Sequence, residues 1–302
     1  MAVRRLEVDG VGLHVEVDGP EGGTPVLFLH GVGSSARTWD WLPPAVTQGR
    51  RILRVDQRGH GRSDHAAGPY VLARYGADAV AVLRELVPGP ALIIGHSLGG
   101  VVSWWVAQNH PELATAVLLE DPPLLAAETP EGDAGRFRNV FRTVRATILD
   151  HRARGGSEQE LAERIATIRW APGMPPLREV LTDDAISALA FGYHRLEIGV
   201  LDGAIDGSTL ASTDTRALVT PPVLIVAADD ALGAAFSSDD AVRLASRGQR
   251  AEVSTGRRER PPDPPVAPAP RGLRGARSAV PRRPRGEGIS VNVDLSRRRS
   301  TM

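Results

Sequence analysis

The sequence predicts an α/β fold: a mostly parallel central sheet with helices on both faces and an inserted helical subdomain. Three observations carry that prediction. Short continuous apolar runs, Val26-Leu27-Phe28-Leu29, Leu92-Ile93-Ile94, Ala116-Val117-Leu118-Leu119 and Val223-Leu224-Ile225-Val226, read as strands buried on both faces. Helical stretches separate them, and strands alternating with helices call for parallel crossovers. Residues 124–218 carry helical patterns with no apolar strand among them, so one long insertion interrupts the alternation.

The elements follow in order. Residues 3–17 read as a β-hairpin: Leu6 and Val8 alternate with polar residues, Asp9-Gly10 supplies the turn, and Val11, Leu13, Val15 and Val17 alternate after it. A loop leads to the run at Val26, which ends in His30-Gly31-Val32-Gly33. Residues 51–56 form a further strand, running into Gln57-Arg58-Gly59-His60-Gly61-Arg62-Ser63. Residues 70–87 predict an amphipathic helix stopped by Pro88-Gly89-Pro90. The strand at Leu92 meets Gly95-His96-Ser97-Leu98-Gly99, and residues 98–109 read as a helix closed by His110-Pro111. After the strand at Ala116, Pro122-Pro123 opens the insertion, where residues 135–154 and 158–170 are its long helical patterns. The strand at Val223 ends in Asp229-Asp230, and residues 237–247 predict a helix capped by Ser237 or Ser238 with acids in its first turn. Ala251-Glu252-Val253 is at best the stub of a last strand. The chain divides accordingly into core residues 1–123 and 219–255, an insertion over 124–218, and a tail over 256–302.

The chemistry is concentrated at Gly95-His96-Ser97-Leu98-Gly99. Strand, sharp turn and helix are the context that the G-x-S-x-G elbow needs to present a nucleophilic serine. The turn holds the serine in a strained backbone, and side chains at positions 95 and 99 would collide with neighbouring chain. The first N–H groups of the new helix lack intrahelical partners and point back at the site.

This stretch resembles the α/β-hydrolase superfamily, and the resemblance extends from residue 1 to about residue 255. The turn after Asp56 matches the D-x-R-G-x-G-x-S segment common in that superfamily. The resemblance implies a cofactor-free serine hydrolase with a helical cap over 124–218, acting on a small-molecule ester or similar carbonyl compound. Ser97 would be the nucleophile, with Gly95, His96 and Gly99 forming its elbow. The backbone N–H groups of Val32 and Leu98 would form the oxyanion hole. The acid would be Asp229, with Asp230 and Asp121 as alternatives. A cofactor-free haloperoxidase or a C–C bond hydrolase would share this machinery. Epoxide hydrolases and haloalkane dehalogenases would carry an aspartate in place of Ser97.

The chain departs from the superfamily in one respect that matters for chemistry. The general base should be a histidine after the last strand, yet the eight histidines lie at 14, 30, 60, 65, 96, 110, 151 and 194. His194, in Phe191-Gly192-Tyr193-His194-Arg195, is the substitute to consider. A catalytically silent scaffold that binds a ligand or partner is the competing expectation. The tail offers another explanation. Residues 256–302 carry 12 arginines against 4 acids, with proline and glycine and no amphipathic period. Such composition predicts disorder. It is also what GC-rich codons yield in the wrong register, so a reading frame lost near residue 254 is expected.

Composition bounds the remaining classes. Formal net charge is +0, with a mildly acidic body balancing the basic tail. The tail lacks the aromatic residues that stack on bases, so no nucleic-acid partner is expected. There is no cysteine, which excludes disulfides and thiolate chemistry. No apolar run reaches membrane-spanning length, and residues 1–7 lack a signal-peptide core, so a cytoplasmic location is expected. No metal or cofactor is called for.

Overall fold

The computed structural model describes residues 1–128, 133–169, 173–230 and 233–255. Eight strands form one sheet in the order β1-β2-β4-β3-β5-β6-β7-β8. β1 (Ala2–Val8) and β2 (Val11–Asp18) are the predicted hairpin, and β2 pairs antiparallel with β4 (Arg50–Asp56). From there the sheet is parallel through β3 (Thr24–Leu29), β5 (Ala91–His96), β6 (Ala114–Glu120), β7 (Val223–Ala227) and β8 (Ala251–Thr255). The expected stub is longer than Ala251-Glu252-Val253. It runs to Thr255 and matches β7 residue for residue, Val223 opposite Ala251 through Ala227 opposite Thr255.

Short α1 (Pro44–Thr47) precedes β4, and α2 (Leu72–Leu86) and α3 (Leu98–Asn109) flank β5. α2 stops one residue short of the predicted end because Val87 precedes Pro88, which disfavours helical backbone there. α3 is apolar on all sides, as a helix enclosed on all sides must be: from Leu98 to Trp104 every residue is buried. Between β6 and β7 lie α4 (Asp133–Ala153), α5 (Glu158–Ala166), α6 (Asp183–His194) and α7 (Ile198–Asp206). α5 ends at Ala166, earlier than the predicted 170, and α6 and α7 are distinct helices that the sequence pattern did not separate. α8 (Ser238–Ser246) joins β7 to β8; Ser237 is its cap, accepting the Asp240 N–H while the Asp240 carboxylate accepts the Ser237 N–H. Among the described residues no helix is long and apolar enough to cross a membrane. The predicted tail over 256–302 lies outside the described residues.

Candidate active site

Ser97 stands between the end of β5 and the start of α3 with φ 50° and ψ −116°, a backbone region that costs a non-glycine residue energy. The surroundings hold it there. Its N–H donates to Glu120 O of β6 at 2.8 Å, and its carbonyl accepts from Val101 N at 3.1 Å. The flanking glycines make the turn possible. A Cβ on Gly95 would lie 2.1 Å from Gly99 O, and a Cβ on Gly99 would lie 2.1 Å from Leu29 O. These approaches put the first turn of α3 directly against the end of β3.

The loop leaving β3 therefore emerges beside Ser97. At Gly31 a Cβ would meet the Ser97 Cβ at 3.2 Å and His96 Nδ1 at 2.9 Å. His30 anchors this loop from below. Its buried ring donates from Nδ1 to Gly31 O at 2.8 Å and accepts the Gln57 N–H at Nε2 at 3.1 Å, which fixes the tautomer. The Gln57 amide returns a bond to His30 O at 2.6 Å. Burial lowers the His30 pKa to about 4 and that of His60, stacked edge-on 4.9 Å away, to about 3. Both rings are therefore neutral at pH 7. His60 Nδ1 donates to Arg58 O, and Arg58 is held by the buried Asp78 at 2.6 Å.

Above this floor lies a cavity of about 310 Å³, near the small end of ligand pockets. Val32, Ser97 and Leu98 line it together. Neither the Val32 N–H nor the Leu98 N–H has a hydrogen-bond partner among the described residues, and the Ser97 hydroxyl has none either. Phe137 and Phe141 of α4, Gly203 and Ala204 of α7, and Leu210 supply walls, while Asp239, Asp240 and Arg243 of α8 contribute the charged side. Sequence reading missed these walls, although Phe137 and Phe141 stand at i, i+4 spacing and so share one helix face. α6 packs from another side: a Cβ on Gly192 would lie 2.3 Å from Gly33 O, so glycine permits the helix to rest on the loop.

The acidic candidates are placed differently from one another. Asp121, at φ 46°, spends its carboxylate on backbone, accepting the N–H groups of Ala228 at 3.3 Å, Ala235 at 3.0 Å and Phe236 at 3.1 Å. Asp230 accepts the Ser238 N–H at 3.3 Å and its hydroxyl at 2.6 Å. Asp229 is exposed, directly before Asp230. None of the three lines the cavity, and no histidine does. His194 lies at the end of α6 against His151, with ring centroids 6.0 Å apart, and burial lowers its pKa. The structure thus brings Ser97, Val32 and Leu98 together and leaves His194 elsewhere. Among the described residues no group of three or more His, Asp or Glu could hold a metal ion.

Comparison with known proteins agrees with this architecture. The family model described as "alpha/beta hydrolase fold" matches residues 24–247. Lipase LipV of Mycobacterium tuberculosis is 32% identical over 70% of this chain and 75% of its own length. A non-heme chloroperoxidase of Streptomyces lividans is 35% identical over 48% of this chain and 54% of its own, so the chain spans about half of that relative. Among solved structures, a hydrolase from Pseudomonas aeruginosa superposes with a TM-score of 0.61 at 23% identity, covering 84% of this chain and 89% of the other. The matched segment takes in the strand, the glycine turn and the helix that set Ser97, and the chain belongs to the α/β-hydrolase family.

Proposed function

We propose that this chain is built as a cofactor-free serine hydrolase for small neutral carbonyl compounds, esters first among them. Ser97 attacks the carbonyl carbon, and the N–H groups of Val32 and Leu98 receive the charge that develops on its oxygen. Asp229, two residues past the end of β7, is the acid that orients the base, with Asp230 and Asp121 as the alternatives. The helices over 124–218 act as a cap, with α4 and α7 setting the width of the cavity. The observation that carries this reading is the shared cavity of Ser97, Val32 and Leu98, with two N–H donors left unpaired where an oxyanion would form.

The base is the part that the chain as written does not supply at the cavity. A reading frame lost after residue 254 accounts for this, because the histidine of a serine hydrolase is expected past the last strand. Loss of one triad member lowers turnover by about 10⁴-fold. The protein should therefore cleave p-nitrophenyl esters slowly, and added imidazole should raise the rate by ~10-fold or more by serving as the base. Ser97→Ala should abolish the imidazole-assisted gain, measured above the cleavage that free imidazole gives without protein. An imidazole-assisted gain of equal size in wild type and Ser97→Ala would overturn the assignment and leave a silent ligand-binding scaffold.

A further inference from the structure

Three guanidinium groups gather around one aromatic ring where α6 meets the loops after β3 and β4, and none of them lines the Ser97 cavity. Arg37 stands in the 3-10 turn Ala36–Trp39 after β3, Arg62 in the turn after β4, and Arg195 directly after α6. Their Cζ atoms lie 4.9, 4.9 and 4.0 Å from the centroid of the buried Phe191 ring. Any two of these charges are therefore no farther apart than a Debye length, about 10 Å at 0.1 M salt, and they repel one another. Contact with the ring occupies the flat face of a guanidinium and leaves its N–H edge open to other partners.

The neighbouring carboxylates do not fill those edges. Glu158 is bonded to Arg195 at 2.6 Å and reaches Arg37 only at 3.9 Å. Asp40 is bonded to Arg54 at 2.9 Å and lies 3.9 Å from Arg37. Glu16 is divided between Arg54 at 3.2 Å and Arg62 at 3.3 Å. Asp56 is buried and accepts the backbone N–H groups of Ala36 at 2.7 Å and Arg62 at 2.9 Å. Among the described residues the Arg37 side chain thus makes no hydrogen bond, although a guanidinium carries a fork of N–H donors that fits an oxyanion. The side chains of Arg37, Arg62 and Arg195 are 32%, 46% and 38% exposed, so a solute can reach them.

We propose that Arg37, Arg62 and Arg195 form a binding site for a phosphate group, free or carried as a monoester. A tetrahedral dianion has acceptors enough for the Arg37 fork and for the open edges of the other two, and its charge offsets their repulsion. Arg37 and Arg62 follow strands of the sheet whereas Arg195 follows α6, so the bound anion ties α6 to the loops beneath it.

The test is calorimetric titration of the full chain with inorganic phosphate at about pH 8, where the dianion prevails, with ionic strength held constant by sodium chloride. Phosphate should bind and should raise the thermal midpoint above its value in chloride. Arg37→Gln should weaken the phosphate Kd about tenfold, and Arg62→Gln should weaken it as well. Arg37→Lys should fall between wild type and Arg37→Gln, because it keeps the charge without the fork. Two arginines elsewhere serve as controls. Arg74→Gln, at a residue paired with Asp9, and Arg243→Gln, on the wall of the Ser97 cavity, should leave Kd unchanged. Glycerol phosphate separates the sources: tighter binding than inorganic phosphate points to a phosphorylated metabolite, equal or weaker binding to free phosphate. The proposal is overturned if wild type binds no phosphate, if acetate binds as tightly at the same ionic strength, or if Arg37→Gln binds like wild type. It is overturned too if either control weakens binding as much as Arg37→Gln, which would mean diffuse charge attraction or binding in the Ser97 cavity. Should Arg37→Gln fail to fold, as its thermal midpoint would show, Arg62→Gln decides in its place by the same criteria.

Discussion

At the scale of single residues, the site is a set of close approaches that only small or neutral groups allow. Gly95 and Gly99 are the sharpest cases at the elbow, because a Cβ at either would lie 2.1 Å from backbone that cannot swing aside. Gly99→Ala should cost about 3 kcal/mol in urea denaturation, the upper part of the usual range for overpacking. It should also remove whatever Ser97-dependent turnover is present. The paired histidines under the loop give a second prediction. Their pKa values in the folded chain, about 4 for His30 and about 3 for His60, lie below the unfolded value near 6.5. The unfolded chain therefore binds more protons between those values, and stability falls as pH drops through that window. Each ring contributes a slope of up to about 1.4 kcal/mol per pH unit between pH 6.5 and its folded pKa. Denaturant midpoints taken from pH 7 to pH 4 should show this loss, and His60→Gln should flatten the curve. A curve of unchanged steepness in that variant would show that His60 is not the group responsible.

At the scale of elements, caps and helix contacts decide how well the cavity walls are held. The capping box between Ser237 and Asp240 fixes the first turn of α8, which brings Asp239, Asp240 and Arg243 to the cavity. Ser237→Ala should lower stability by about 1 kcal/mol, measured by thermal or urea unfolding. α6 rests on the loop after β3 through Gly192, with Phe191 beside it under the guanidinium groups of Arg37, Arg62 and Arg195 at 4.9, 4.9 and 4.0 Å. Gly192→Ala should push α6 off Gly33 and disturb the Val32 N–H. On the proposed oxyanion role of Val32, the expected result is a lower kcat for ester cleavage with KM less affected, because such a contact strengthens in the transition state.

At the scale of the whole molecule, the sheet is complete through β8, and the chain past Thr255 is where sequence and family expectation part. Translating the same DNA in its other two forward frames from the codon for residue 250 is the direct check. One frame should give a short apolar stretch, a histidine among small residues and an amphipathic helix before a stop. If neither frame does, the lost-frame explanation fails. A protein made from the corrected frame should then cleave p-nitrophenyl esters about 10⁴-fold faster than the chain as written, and without imidazole.

The strands, the elbow helix and the hairpin were legible in the sequence because each is written locally. Period-two alternation marks β1 and β2, continuous apolar runs mark the strands buried on both faces, and glycine at 95 and 99 marks the turn at Ser97. The cavity was not legible. Its walls come from α4, α7 and α8, which meet only after the insertion folds back over the strand ends. Asp121, Asp229 and Asp230 all sit at strand ends by local pattern, and the Ala235 N–H that Asp121 accepts and the Ser238 hydroxyl that Asp230 accepts are known only from the folded chain. Local periodicity set the elements and the elbow, while long-range packing alone decided which side chains share the space above Ser97.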